Sequence, residues 1–257
     1  MQSQRSQVPI PILLEAAQQF SDWVKQNAQG AEVILCGGLA FVQYGSQRVT
    51  QDADLCMDLS RTQRSSRSGA PIPFDTNALK DIASRDSRLI VGPKIYWVHQ
   101  PTRIPVQVDF VDANLFWRPF DIRAMVDTTP TGTVGGVPSL NPPTLLVGKM
   151  KSALERSDQT KQSKDVWDFD FAMTLCFQRR SPLTVRHLEH LAADLQGVCH
   201  VVHEFAKLRL SLMGKQLDQN GSMWVNAWAS LIKNSGLHRS LIDAARVNQA
   251  QTTAPVA

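Results

Sequence analysis

The sequence predicts a mixed α/β (α+β) first half and an all-helical second half, meeting near residue 141. Three observations predict this. Short apolar or alternating runs of strand length, punctuated by glycine and proline, occupy the chain from residue 32 to residue 138. After Asn141-Pro142-Pro143 the apolar spacing becomes helical and stays so. Of the 257 residues 43% are hydrophobic and 19% charged, so the chain can bury a proper core in one large domain or two modest ones.

Other classes fall away on the same reading. No run reaches the roughly 18 apolar residues that a membrane span needs. The first residues, MQSQRSQVPIP, hold no apolar stretch of the secretory kind, which points to a cytoplasmic protein. Cys36, Cys56, Cys176 and Cys199 form no CxxC pair and the first three sit in apolar runs, so reduced, buried thiols explain them better than a disulfide framework or a zinc site. The net charge of +4 is compatible with a nucleotide or nucleic-acid partner without pointing to one. Oligomeric state is left open.

Element by element, Leu13, Ala16, Ala17, Phe20 and Val24 repeat at helical spacing from Pro9 to Gly30, with the glycine suited to the position past the end. Glu32 to Cys36 reads as a buried strand, Leu39 to Tyr44 as a short helix closed by Gly45, and Ala53 to Leu59 as a half-buried strand. Arg61 to Pro73, polar and carrying three arginines, reads as a mobile, solvated loop. Lys94 to His99 and Val106 to Val111 form a hairpin. A second hairpin turns at Gly135-Gly136, between Thr133-Val134 and Val137-Pro138; this pair serves the turn alone. In the second half, helices are expected at Thr144–Arg156, Lys164–Phe177, Thr184–Lys215, Met223–Lys233 and Leu237–Val247, with a disordered tail from about residue 248.

The chemistry gathers around three aspartates. Asp52 and Asp54 lie two apart on a strand, so both side chains leave one face, with Cα atoms about 6–7 Å apart. Two carboxylates held that way repel unless a cation lies between them, and hard oxygen ligands suit Mg²⁺ (or Mn²⁺). In VQVDFV, Val106, Val108 and Phe110 take one face and Asp109 the other. An acid inside an apolar strand needs a partner, and a strand beside Asp52 and Asp54 would supply one. Asp112, at the strand's end, is the rival for third carboxylate. Asp58 shares the face of Asp54 but is roughly 13 Å along the strand, too far to join. Gly37-Gly38, at a strand-to-helix passage, would let phosphate oxygens approach backbone N–H groups.

The run GGLAFVQYGSQRVTQDADL resembles the first motif of nucleotidyltransferase-fold proteins related to the AbiEii and MenT toxins. Gly37, Gly38, Ala40, Gly45, Arg48, Thr50, Asp52 and Asp54 fall in its register. Downstream, Leu145-Leu146-Val147-Gly148-Lys149-Met150-Lys151-Ser152-Ala153 with Arg156 resembles the family's lysine-bearing helix, and Lys164-Asp165-Val166-Trp167-Asp168 its following acidic segment. The likeness covers about residues 30 to 175, and ordered short elements are more specific than any one motif.

That resemblance implies a nucleotidyltransferase-like catalytic domain with a short mixed sheet over residues 1–140, and a helical domain over 141–257. It implies that Asp52, Asp54 and Asp109 hold the metals and that Gly37 and Gly38 contact the triphosphate of an NTP such as ATP. Arg48 and Thr50 would orient the loop or touch phosphate, Lys149 would neutralise phosphate charge, and Asp165 would position the acceptor or hold Lys149. Lys149 and Arg156 share a helical face across Ala153, which fits a ligand-facing surface, and for Arg156 equally an exposed one. Asp165 and Asp168 read equally well as first-turn acids.

The activity implied is transfer of a nucleoside monophosphate from an NTP to a hydroxyl of a tRNA 3′ end, a protein side chain or a small molecule, with release of pyrophosphate. A basic cleft near Arg48, Lys149, Lys151 and Arg156 would favour tRNA. A non-catalytic binding scaffold or antitoxin-like protein, and a phosphotransferase using the same site, are the alternatives. The helical pairs His187/His190 and His200/His203 lack the His-Glu-x-x-His order of a zinc protease and read as surface or partly packed residues. Trp224 and Trp228 read as core.

Overall fold

The computed structural model describes residues 8–65, 71–117, 120–127, 129, 133–134, 137–213, 222–233 and 239–246. The chain divides into two compact units, residues 1–141 and 142–257. None of the helices among the described residues is long and apolar enough to cross a membrane.

The first unit opens with α1 (Ile10–Asn27). Leu13, Ala16, Ala17, Phe20, Trp23 and Val24 form its buried stripe, and Pro11 sits in the first turn, where a helix needs no N–H from it. Then follow β1 (Glu32–Leu35), α2 (Gly37–Gln43), β2 (Asp52–Asp58), β3 (Gln63–Ser65), β4 (Pro71–Pro73), α3 (Thr76–Ala83), β5 (Leu89–Val91), β6 (Ile95–Val98) and β7 (Pro105–Asp112). The unit ends with α4 (Ala113–Phe116), α5 (Ile122–Met125), β8 (Val126–Asp127), β9 (Thr133–Val134) and β10 (Val137–Leu140).

The main sheet runs β5-β6-β7-β2-β1-β10-β8, with β9 attached to β10. It is mixed: β2 and β7 are parallel, as are β1 and β10, while the other pairings are antiparallel. The β2–β7 register sets Ala53 against Val108, Asp54 against Asp109 and Leu55 against Phe110. Because side chains alternate along a strand, this register sends two matched sets to opposite faces. Ala53, Leu55, Met57, Val106 and Val108 are buried on the α1 side, where the Phe110 ring lies 5.7 Å from Phe20. Phe20 also meets Trp23 at 5.5 Å and Trp97 at 6.0 Å. Each such ring contributes about 1.5–3 kcal/mol on burial.

Polar tips at the edge of this cluster are satisfied. The Trp97 indole donates to Gln19 Oε1 at 2.9 Å and the Trp23 indole to Asp86 Oδ2 at 2.7 Å. Buried His99 bridges Glu15 of α1 (2.9 Å) and Thr102 of the β6–β7 turn (2.7 Å), tying the hairpin to the helix.

The second unit comprises α6 (Pro142–Glu155), α7 (Gln159–Gln178), α8 (Val185–Leu188), α9 (Leu195–Met213), α10 (Ser222–Ile232) and α11 (Ser240–Ala244). Asp158 starts α7 by accepting from the N–H groups of Thr160 and Lys161. The unit's core is aromatic: Phe169 and Phe205 stand 4.5 Å apart, with Trp224 at 5.7 and 6.2 Å from them. Trp224 and Trp228 are both buried, and their indoles donate to the Ala245 and Leu241 carbonyls.

Several expectations need correction. The stretch read as a loop from Arg61 to Pro73 carries a two-stranded ladder, β3 with β4, and residues 66–70 between them lie outside the described residues. The helix expected over 184–215 is two helices, because Asp194 Oδ1 accepts from the Gly197 N–H at 2.7 Å and starts α9 afresh. Of the two readings given for His187 and His190, surface or partly packed, burial of both favours the packed one. Of the last helix, expected over 237–247, the described residues hold α11, Ser240–Ala244, while 237–238 and 247 lie outside them. Gly135-Gly136 and the tail from 248 lie outside the described residues, although the strands flanking the glycines do pair, Val134 with Val137.

Candidate active site

On the face of β2 and β7 turned away from α1, Asp52, Asp54 and Asp109 converge. One carboxylate oxygen from each lies within 4.8 Å of the others. Among the described residues it is the one group of three or more His, Cys, Asp or Glu side chains so close. All three are partly exposed, so an ion could reach them from solvent. Three hard oxygen donors at this spacing fit a divalent cation such as Mg²⁺ or Mn²⁺.

The surroundings hold each acid in place. Asp54 Oδ2 accepts from the Gly38 N–H at 3.0 Å, at the first turn of α2. Gly37 has φ +53°, and a Cβ there would lie 2.0 Å from Asp54 Oδ2. A Cβ on Gly38 would fall 2.6 Å from Thr50 Oγ1 and 3.1 Å from Arg48 Nη2. The glycine pair therefore leaves room for Asp54, Thr50 and Arg48, a steric role beside the phosphate-facing one expected from sequence. Buried Thr50 donates its hydroxyl to Asp52, 3.3 Å from Oδ1. Asp109 accepts from the Gln107 amide at 2.8 Å and from the Lys94 ammonium, which lies 3.2 and 3.4 Å from its two oxygens.

The two other acids of this region are engaged elsewhere. Asp112 caps α4 by accepting from the Asn114 N–H at 2.8 Å. Asp58 accepts from the Asn114 amide at 2.7 Å and from the Ser60 N–H at 3.0 Å. Its partial burial works to raise the carboxyl's pKa. Hydrogen bonds from the Ser60 side chain, the Ser60 N–H and Asn114, with the charge of Arg61, outweigh that and leave it below the ordinary carboxylate range.

In the second unit, Lys149 of α6 is held by two acids of α7. Its ammonium lies 2.7 Å from Asp165 and 2.8 Å from Asp168. Arg156 closes on the other oxygen of Asp165. Of the two roles expected for Asp165, holding Lys149 is the one its contacts display. Asp168 shares that task, so neither is merely a dipole-favoured helix-start acid; both are buried well inside α7. Lys151, half-buried, is at 4.0 Å from exposed Glu155 on the same helix.

The sequence reading missed Lys94 and Gln107. A signal was available: the β6–β7 register sets Tyr96 against Gln107, and two further steps bring Lys94 opposite Asp109.

This fold is nucleotidyltransferase-like. It is similar to the crystal structure of an antigenic nucleotidyltransferase-like protein from Paracoccidioides brasiliensis, with a TM-score of 0.56 and 13% identity over 87% of this chain and 98% of that one. The chain belongs to the AbiEii family, whose model, described as "Nucleotidyl transferase AbiEii toxin, Type IV TA system", matches residues 22–237. A comparison with curated proteins found no match.

Proposed function

We propose that this chain transfers a nucleoside monophosphate from an NTP to an acceptor hydroxyl and releases pyrophosphate. The observation that carries the reading is the convergence of Asp52, Asp54 and Asp109 from two parallel strands, in a chain of a nucleotidyl transferase family. Bound there, Mg²⁺ or Mn²⁺ would supply Lewis-acid chemistry, activating the attacking hydroxyl and offsetting charge on the departing pyrophosphate.

The chain's own groups do the rest. Asp52 and Asp54 bind the cation as a pair fixed by Thr50 and by the Gly38 N–H, and Asp109 completes the donor set. Arg48, whose guanidinium lies against Gly38, would meet a nucleotide phosphate. Within the helical unit, Lys149 is gripped by Asp165 and Asp168, with Arg156 steadying Asp165; the family resemblance is what assigns this lysine to phosphate charge.

The test uses the full chain, Mg²⁺, each NTP labelled at the α- or γ-phosphate, and three acceptor pools: total tRNA, protein and small hydroxyl compounds. Label from the α-phosphate should appear in one pool and vanish with Asp52→Ala. Transfer of the γ-label alone would replace this reading with a phosphotransferase. No transfer from either position would leave a binding scaffold.

A further inference from the structure

We propose that Lys94 is a displaceable cation that shares Asp109 with the metal: its ammonium occupies the carboxylate in the metal-free protein and must leave before a divalent ion can draw on all three acids. The proposal rests on the metal-site reading above and adds to it a built-in competitor.

Three observations carry it. First, Lys94 approaches both oxygens of Asp109, at 3.2 and 3.4 Å, so the contact covers the donor atoms themselves and not the back of the carboxylate. Second, the position is set by backbone and not by chance reach. Lys94 closes the β5–β6 turn, where its carbonyl accepts from the Gly92 N–H at 3.1 Å, and it directly precedes β6. Since β6 and β2 flank β7, extending the β6–β7 register two residues back from Tyr96 brings Lys94, just before β6, level with Asp109, which is itself paired with Asp54 of β2. Third, the lysine side chain is 53% exposed and that of Asp109 38%. An exposed pair of this kind is weak, and an ammonium on a four-carbon stem is readily returned to water. A single positive charge thus holds the third acid until a doubly charged ion outcompetes it.

Competition of this sort has a signature: removing Lys94 should strengthen metal binding, whereas removing a ligand abolishes it. Lys80 provides the control. Its ammonium lies 5.9 Å from the Phe110 ring, on the face of β7 opposite Asp109. A non-specific effect of net charge would move both lysine variants alike.

The experiment titrates the full chain with Mn²⁺ alone, reading free Mn²⁺ by electron paramagnetic resonance, at low ionic strength. Relative to the wild-type chain, Lys94→Gln should bind about threefold to tenfold more tightly, as expected when a like charge within contact distance of the site is lost. Lys94→Arg should return close to the wild-type value and Lys80→Gln should not depart from it. Equal affinity for Lys94→Gln and wild type, or an equal gain in Lys80→Gln, overturns the role of Lys94. Asp54→Asn reports separately on the site: Mn²⁺ binding that survives it removes the metal reading itself.

Discussion

Gly37 and Asp54 are packed so closely that a single methyl group on the glycine would sit 2.0 Å from the carboxylate oxygen Oδ2. The same residue has φ +53°, where a side chain is strained whatever the space. The strand-to-helix turn and the acid two strand residues into β2 are therefore one mechanical unit.

Gly37→Ala should accordingly do two things at once. It should lower unfolding stability by about 1–3 kcal/mol, from the backbone strain and the displaced carboxylate. It should also remove Mn²⁺ binding, since Asp54 has to move aside. Urea denaturation and Mn²⁺ titration check the two effects. A variant with wild-type stability and wild-type Mn²⁺ affinity would contradict the coupling.

Asp165→Ala in α7 should destabilise the helical unit by on the order of 3–5 kcal/mol, the usual consequence of leaving a buried cation without its partner. Asp165 is the shared partner of Lys149 and Arg156 and is nearly fully buried. Asp168 still contacts Lys149, so the loss should lie toward the lower end of that range. Asp168→Ala, which leaves both Asp165 pairs standing, should cost less. Denaturant midpoints of the two variants check the order.

Acid sensitivity should trace to Asp86. Hydrogen bonds from the Arg88 side chain hold its carboxyl well below the ordinary value of 3.8; burial opposes this, while the Arg88 N–H, the Trp23 indole and the Arg88 charge reinforce it. A carboxyl depressed in the folded state stabilises the fold fully above the unfolded pKa and loses that contribution as pH falls through the folded one. Wild type should therefore exceed Asp86→Asn in stability by a constant margin above about pH 5, and the margin should shrink as pH drops below about 4. Thermal melts of both chains from pH 7 to pH 2 check this. A margin that grows on acidification would reverse the sign and refute the assignment.

Much of the first unit was legible because its signals are local. The glycine pair after Glu32–Leu35, and the alternation in β2 and β7, follow from periodicity, and alternation alone put Asp109 on the face opposite Phe110. Other features were hidden by the same rule. β5 is a three-residue edge strand with two exposed apolar residues, so it has no alternation to read. The break between α8 and α9 lies within an apolar pattern that continues across it, and only a side-chain bond from Asp194 marks the restart. α3 was missed although Asp75 accepts from the Ala78 N–H at 2.8 Å, a start signal that was present in the sequence. Lys94 could be found only by extending strand register across a hairpin, and the double grip of Asp165 and Asp168 on Lys149 depends on how α6 and α7 pack, which spacing along one helix cannot supply.

The opening helix has a consequence for anyone shortening this chain. Family similarity begins at residue 22, yet Leu13, Ala16, Ala17 and Phe20 come before that point and form the roof over the reverse side of the acid-bearing strands. Trimming to the matched segment would retain every charged group of chemical interest while uncovering Val106, Val108 and Phe110 to water. Such a fragment would carry the right letters on a sheet stripped of part of its backing, with α3 and the end of α1 left to cover it.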